Sequence, residues 1–85
     1  MQVVFHKNFK KQTKKLKALK TKIEQRLFLF MEDPFNPILN NHPLIGKYKG
    51  YRSINITADY RAVYESINDD LAFFITLDKH SNLYK

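Results

Sequence analysis

An α+β fold in a single domain spanning residues 1–85 is predicted by three features of the sequence. Apolar residues recur at three-, four- and seven-residue steps through a lysine-rich N-terminal part. Turn-forming residues then crowd the middle, and three strand-like runs follow with only a few polar residues between them. The implied order is β-α-α-β-β-β, with two N-terminal helices packed on one face of a largely antiparallel, four-stranded sheet. The apolar stripe of the helices has no other surface on which to be buried.

Taken in order, Gln2 to His6 is short, β-branched and aromatic, and reads as a first strand. Asn8 is placed to cap a helix starting at Phe9, whose ring begins the series Phe9, Leu16, Leu19, Ile23, Leu27. Thr21 followed three residues on by Glu24 has capping-box spacing, so a break is expected near Leu19 to Thr21 and a second helix ending before Asp33-Pro34; two antiparallel helices or one kinked helix both fit. Asp33 to Gly46, with Pro34, Asn36, Pro37, Asn40, Asn41 and Pro43, reads as a long surface loop. Three strands are then expected, at Tyr51 to Thr57, Tyr60 to Ser66 and Leu71 to Leu77, joined as antiparallel hairpins. The last is apolar on both faces and belongs in the interior of the sheet. Arg61 and Glu65 fall on one strand face as a potential pair, and the sheet face away from the helices is left for a ligand or partner.

The chain holds 85 residues of which 44% are hydrophobic, a globular composition. Its mass of 10.2 kDa implies a folded surface of roughly 5,300 Å² and a thin core. Having no cysteine, it is without disulfides, thiolate metal sites and thiol nucleophiles, which points to an intracellular, cytoplasmic protein. No apolar run reaches the roughly 20 residues of a membrane span, and the N-terminus lacks signal-peptide order; membrane association is not expected.

The net charge is 15 − 8 = +7. Lys7, Lys10, Lys11, Lys14, Lys15, Lys17, Lys20 and Lys22 lie in the first 22 residues with no acid among them, so the remainder carries 7 − 8 = −1. The excess is therefore a local footprint for a polyanion or acidic partner. Nucleophile motifs, phosphate-cradling glycine loops and paired carboxylates are absent. His6, His42 and His80 are too isolated in sequence to suggest zinc ligation. His6 reads as a strand-end residue. Chemistry is left to a set of polar residues at the loop and the strand ends.

Those residues carry a resemblance. Asn41-His42-Pro43-Leu44, Gly46, Tyr48-Lys49-Gly50-Tyr51-Arg52, Asp59-Tyr60-Arg61-Ala62-Val63-Tyr64 and His80-Ser81-Asn82-Leu83-Tyr84, in that order, resemble the RelE/ParE toxin superfamily and within it the YafQ-like branch. The resemblance covers essentially the whole chain. It implies a RelE-like fold and the toxin of a type II toxin–antitoxin system, a messenger-RNA interferase acting on the ribosome. The reaction would be metal-independent attack of a ribose 2′-hydroxyl on the adjacent phosphate. Partners implied are a cognate antitoxin and the ribosome with its messenger and small-subunit RNA; no cofactor or metal is implied.

By matching position, His42 and His80 are the implied proton-transfer residues. Histidine is suited to that work because it ordinarily titrates near 6.5. Asp59 is the assisting carboxylate, Arg61 the phosphate cation, and Tyr84 the terminal aromatic of the site. RNA contacts are implied for Tyr60, Asn55, Arg52, Lys47 and Lys49, and from the basic block for Lys10, Lys11, Lys14 and Lys17. Two aromatic positions differ from the branch, Tyr60 replacing Trp and Tyr84 replacing Phe. Asn55 stands where a further His is usual; its amide cannot shuttle protons and is assigned to hydrogen bonding. Two other functions stay open on the same fold: a ParE-like inhibitor of DNA gyrase, and a non-catalytic RNA- or protein-binding module.

Overall fold

The computed structural model describes residues 1–83; Tyr84, a candidate for the site, lies outside the described residues. The elements are β1 (Gln2–Phe5), α1 (Lys7–Lys15), α2 (Lys20–Glu32), β2 (His42–Pro43), β3 (Arg52–Asn55), β4 (Tyr60–Asn68), β5 (Leu71–Lys79) and a short α3 (His80–Leu83), with 3₁₀ turns at Lys17–Leu19, Pro37–Leu39 and Gly46–Tyr48. The predicted order holds, with two additions, β2 and α3. The sheet has five strands in the order β1-β5-β4-β3-β2, because the expected loop contributes His42–Pro43 as a two-residue edge strand. β1 runs parallel to β5 and the other pairings are antiparallel. β5 is thus interior, as a strand apolar on both faces must be.

α1 starts at Lys7 rather than Phe9, and its cap is His6, whose Nδ1 accepts from the Asn8 amide at 3.0 Å. The helix breaks at Leu16 (φ −97°, ψ 54°), earlier than the Thr21–Glu24 spacing suggested, and α2 has no side-chain cap. Packing explains the shift. Phe9 is 2% exposed against Phe5 and Phe74, while Ile23, Leu27 and Phe30 of α2 are buried, and the break turns both helices onto the same sheet face. The core centres on Phe30, Tyr64 and Phe74, whose ring centroids lie 4.9 to 5.1 Å apart in edge and tilted arrangements worth about 1 kcal/mol per pair beyond burial.

α1 also takes over where β1 ends. Beyond Phe5 the free side of β5 meets no strand among the described residues; the Gln12 Oε1 accepts from the Leu77 amide at 2.7 Å and from the Thr76 hydroxyl at 3.0 Å. A helix side chain thereby satisfies a buried strand donor that would otherwise be orphaned.

The face away from the helices is not wholly open, contrary to expectation. Leu44, Val63 and Leu83 form a second buried cluster with Tyr48, Tyr51 and Ile75, so the 44–51 segment and α3 cover part of it. That segment closes with a turn at Tyr48–Tyr51 in which Lys49 (φ −56°, ψ 132°) precedes Gly50 (φ 95°) and the Tyr51 amide donates to the Tyr48 carbonyl at 3.0 Å. This is a type II turn, whose third position calls for glycine.

Candidate active site

The β3–β4 turn is built by hydroxyl and guanidinium contacts to the backbone. The Thr57 Oγ1 accepts from the amides of Asp59 (3.2 Å) and Tyr60 (3.1 Å). From the other side the Arg61 Nη1 donates to the carbonyls of Thr57 and Ala58, both at 2.9 Å, and of Tyr60 at 3.2 Å. The suggested Arg61–Glu65 pairing is not formed. The guanidinium is spent on the turn.

That turn is tied to the end of β5, where the His80 amide donates to the Asp59 carbonyl at 2.7 Å. Between the two lies a shallow pocket of about 340 Å³ lined by Ala58, Asp59, Lys79, His80 and Ser81. Asp59 and His80, separated by 20 residues in sequence, are thus brought together by the antiparallel β4–β5 pairing, which sets Tyr60 opposite Lys79 and Arg61 opposite Asp78. On the far side Asn55 is opposite Arg61 in β3. Asn55, Arg61 and Asp78 therefore form one row across the end of the sheet, since directly opposed residues share a face. The Asn55 Oδ1 is buried and without a hydrogen-bond partner among the described residues, as is the Ser53 Oγ two residues back.

Two residues here escaped the sequence reading. Asp78 takes the Lys79 amide at 2.7 Å and the Asn82 side-chain amide at 3.0 Å on its Oδ1, orienting the start of α3. Lys79 puts an exposed ammonium on the pocket wall. Neither belongs to a spacing pattern; the only signal was position, directly before His80 at the end of an apolar run.

His42 is not in this pocket. It pairs with Ser53 on the β2 edge, three strand positions from β5 and so about 14 Å away laterally, backbone to backbone. The two imidazoles can act together only on a substrate lying between them. The His42 Nδ1 lies 2.7 Å from the Asn40 carbonyl, and because a carbonyl only accepts, Nδ1 carries the proton. In the neutral ring Nε2 then holds the lone pair. Asn41 fastens the loop beneath. Its Nδ2 donates to the Pro34 carbonyl (2.9 Å) and the Tyr64 hydroxyl (2.7 Å), and its Oδ1 accepts from the Arg52 Nε (2.8 Å). Arg52, a candidate RNA contact, is held there and lies 5.3 Å over the Phe35 ring. Lys47 and Lys49 are exposed on the 44–51 segment, with the Lys47 ammonium 5.4 Å from the Tyr48 ring.

The four lysines of the basic block that are candidate RNA contacts, Lys10, Lys11, Lys14 and Lys17, are all exposed along α1 and the following turn. Among the described residues no three His, Asp or Glu side chains gather as metal ligands, and no helix is long and apolar enough to cross a membrane.

Comparison with known proteins decides the family. The family model for the bacterial toxin of the type II toxin–antitoxin system, YafQ, matches residues 1–85. The chain belongs to the YafQ toxin family. Among curated sequences no significant match was found. Among solved structures, this YafQ-family toxin superposes on YafQ from E. coli with a TM-score of 0.80 at 21% identity, covering 99% of this chain and 98% of the other. The YafQ chain of the E. coli DinJ–YafQ toxin–antitoxin complex gives 0.78 at 21% identity, with 99% and 97% covered. A metal-bound toxin from Helicobacter pylori gives 0.75 at 27% identity, with 99% of each chain covered. The predicted fold class, a small α+β domain of the YafQ/RelE type, is thereby established.

Proposed function

We propose that this YafQ-family toxin is a ribosome-dependent endoribonuclease that cuts messenger RNA and so inhibits translation. The observation that carries the reading is the pocket where Asp59, Lys79 and His80 converge at the rim of the sheet. Cleavage without a metal requires a base to take the 2′-hydroxyl proton, cationic stabilisation of the phosphorane, and an acid to protonate the departing 5′-oxygen. The 2′-oxygen bonds to phosphorus as the P–O5′ bond breaks, leaving a 2′,3′-cyclic phosphate and a 5′-hydroxyl. His80 is assigned one proton transfer, with Asp59 assisting. His42, across the substrate with the lone pair on its Nε2, takes the other. Lys79 meets the phosphate charge together with whatever donors of Arg61 the turn leaves over. Tyr60 and Tyr84 stack or place bases, Asn55 supplies a hydrogen bond, and Lys47 and Lys49 with the α1 lysines hold phosphates of messenger and small-subunit RNA. A cognate antitoxin silences the free chain.

The test is single-turnover cleavage on programmed ribosomes with mapping of messenger ends. His80→Ala should lower the rate by about 10²- to 10⁴-fold with ribosome binding retained. His80→Gln should not rescue it, since an amide has no titratable proton, and Tyr84→Phe should be milder. Parent-rate cleavage by His80→Ala would remove His80 from the mechanism. Inhibition of DNA gyrase with messenger left intact would replace this reading by the ParE-like one.

A further inference from the structure

Phe35 is 65% exposed, yet the turn that carries it is firmly built. The Asn36 amide donates to the Asp33 carbonyl at 3.0 Å, closing a β-turn with Pro34 at its second position and Phe35 at its third. Asn36 then caps the Pro37–Leu39 turn, its Oδ1 accepting from the Ile38 amide at 3.0 Å. The Pro34 carbonyl is held from across the loop by the Asn41 Nδ2 at 2.9 Å. Asn41 also fixes Arg52, whose guanidinium lies 5.3 Å from the centroid of the Phe35 ring. One face of the ring is therefore capped by a cation, and the opposite face is open to solvent. A phenylalanine stabilises a fold only to the extent that its ring leaves water. Here a braced turn holds the ring out instead.

We propose that Phe35, with Arg52 behind it, is a stacking platform for one unpaired base of a single-stranded RNA, the base lying on the open face of the ring and a phosphate reaching the guanidinium. An aromatic face beside a cation is the combination that holds unpaired bases without reading their sequence. Position adds a second argument. In the β2–β3 register His42 is opposite Ser53 and Pro43 is opposite Arg52, so imidazole and guanidinium leave the sheet on opposite faces of its β2 edge. An RNA strand engaged by His42 that turns round this edge meets the Phe35 ring next. The platform thus seats a nucleotide flanking the one at which cleavage is assigned, and in that respect it rests on the ribonuclease reading. Glu32 and Asp33 are exposed just before the turn, which makes a purely electrostatic hold on phosphates poor here. The ring contributes by stacking.

The experiment measures, by fluorescence anisotropy across a salt series, binding of the full chain to a fluorescein-labelled oligoribonucleotide of about eight residues and to an abasic oligomer of equal length and charge. Phe35→Ala should weaken the oligoribonucleotide about 5- to 150-fold, the range for one base–aromatic stack, and leave the slope of log affinity against log salt unchanged. Phe35→Leu should lose as much, because it keeps apolar area without a ring. The abasic oligomer should bind the parent and Phe35→Ala alike. The chain has no tryptophan, so Phe35→Trp introduces a single reporter. It should bind at least as tightly as the parent, with its fluorescence quenched by the oligoribonucleotide and not by the abasic oligomer. Circular dichroism checks that each variant is folded. Parent affinity in Phe35→Ala, affinity retained by Phe35→Leu, or a tryptophan left unquenched would each overturn the proposal. Failure of the parent to cleave messenger on the ribosome, with these binding results intact, would instead sink the ribonuclease reading and leave the platform standing. Normal cleavage by the parent with unchanged binding by Phe35→Ala would sink the platform alone.

Discussion

Replacing Asn41 by Ala tests how the loop bearing His42 is held. The side chain makes three hydrogen bonds to groups distant in sequence: to the Pro34 carbonyl, to the Tyr64 hydroxyl and from the Arg52 guanidinium. Tyr64 is only 2% exposed, so its hydroxyl cannot turn to bulk water when the amide is removed. Two neutral bonds at about 1 kcal/mol each, and a charge-assisted one discounted to about the same because Arg52 is partly solvated, give a loss of about 3 kcal/mol. A domain of 85 residues has roughly 4 to 13 kcal/mol of stability to lose. At about 4 to 8 °C per kcal/mol for a chain of this size, Tm should fall by about 12 to 24 °C in a calorimetric or dichroism melt. Tyr64→Phe alone should cost about 1 kcal/mol, and the double variant less than the sum, because the Asn41–Tyr64 bond is then counted once. A fall of less than about 4 °C for Asn41→Ala would refute the argument that this amide is the fastening of the loop.

Three further outcomes follow from the same geometry. Gly50→Ala should lower stability by about 1 to 2 kcal/mol through backbone strain at φ 95°, since nothing lies within 4 Å of the added Cβ; Gly50→Asn should be milder in the same denaturant titration. Gln12→Ala should cost about 2 kcal/mol and speed hydrogen exchange at the Leu77 amide, whose acceptor is removed; unchanged protection there would show that α1 does not brace β5. Replacing Lys10, Lys11, Lys14 and Lys17 together by Gln should weaken RNA binding and reduce the slope of log affinity against log salt by at most about 2.8, at roughly 0.7 per single-strand phosphate contact. An unchanged slope would make that face a merely solvated one.

Much of the architecture was decided locally. The element order and the interior place of the Leu71 to Leu77 run follow from hydrophobic periods and from a strand apolar on both faces, properties that each segment carries alone. The residues proposed for the site came from an ordered set of short motifs spread over the chain, of which the pocket gathers Asp59 and His80. Four features depended on contacts between distant segments. His42–Pro43 has no strand periodicity and pairs only because β3 offers Ser53 and Arg52 on a free edge. The start of α1 moved to Lys7 because His6, at the end of β1, turns its imidazole back onto the Asn8 amide, and the break moved to Leu16 so that both helices cover one core. The second face of the sheet closed over Val63 because Leu44 and Leu83, nearly 40 residues apart, had apolar surface to bury. Lys79 and Asp78 joined the site because the register of β4 on β5 sets them opposite Tyr60 and Arg61. A one-residue slip would have sent them to other neighbours. Periodicity records which side of an element is apolar; only the closed sheet settles what that side, and the polar side behind it, will meet.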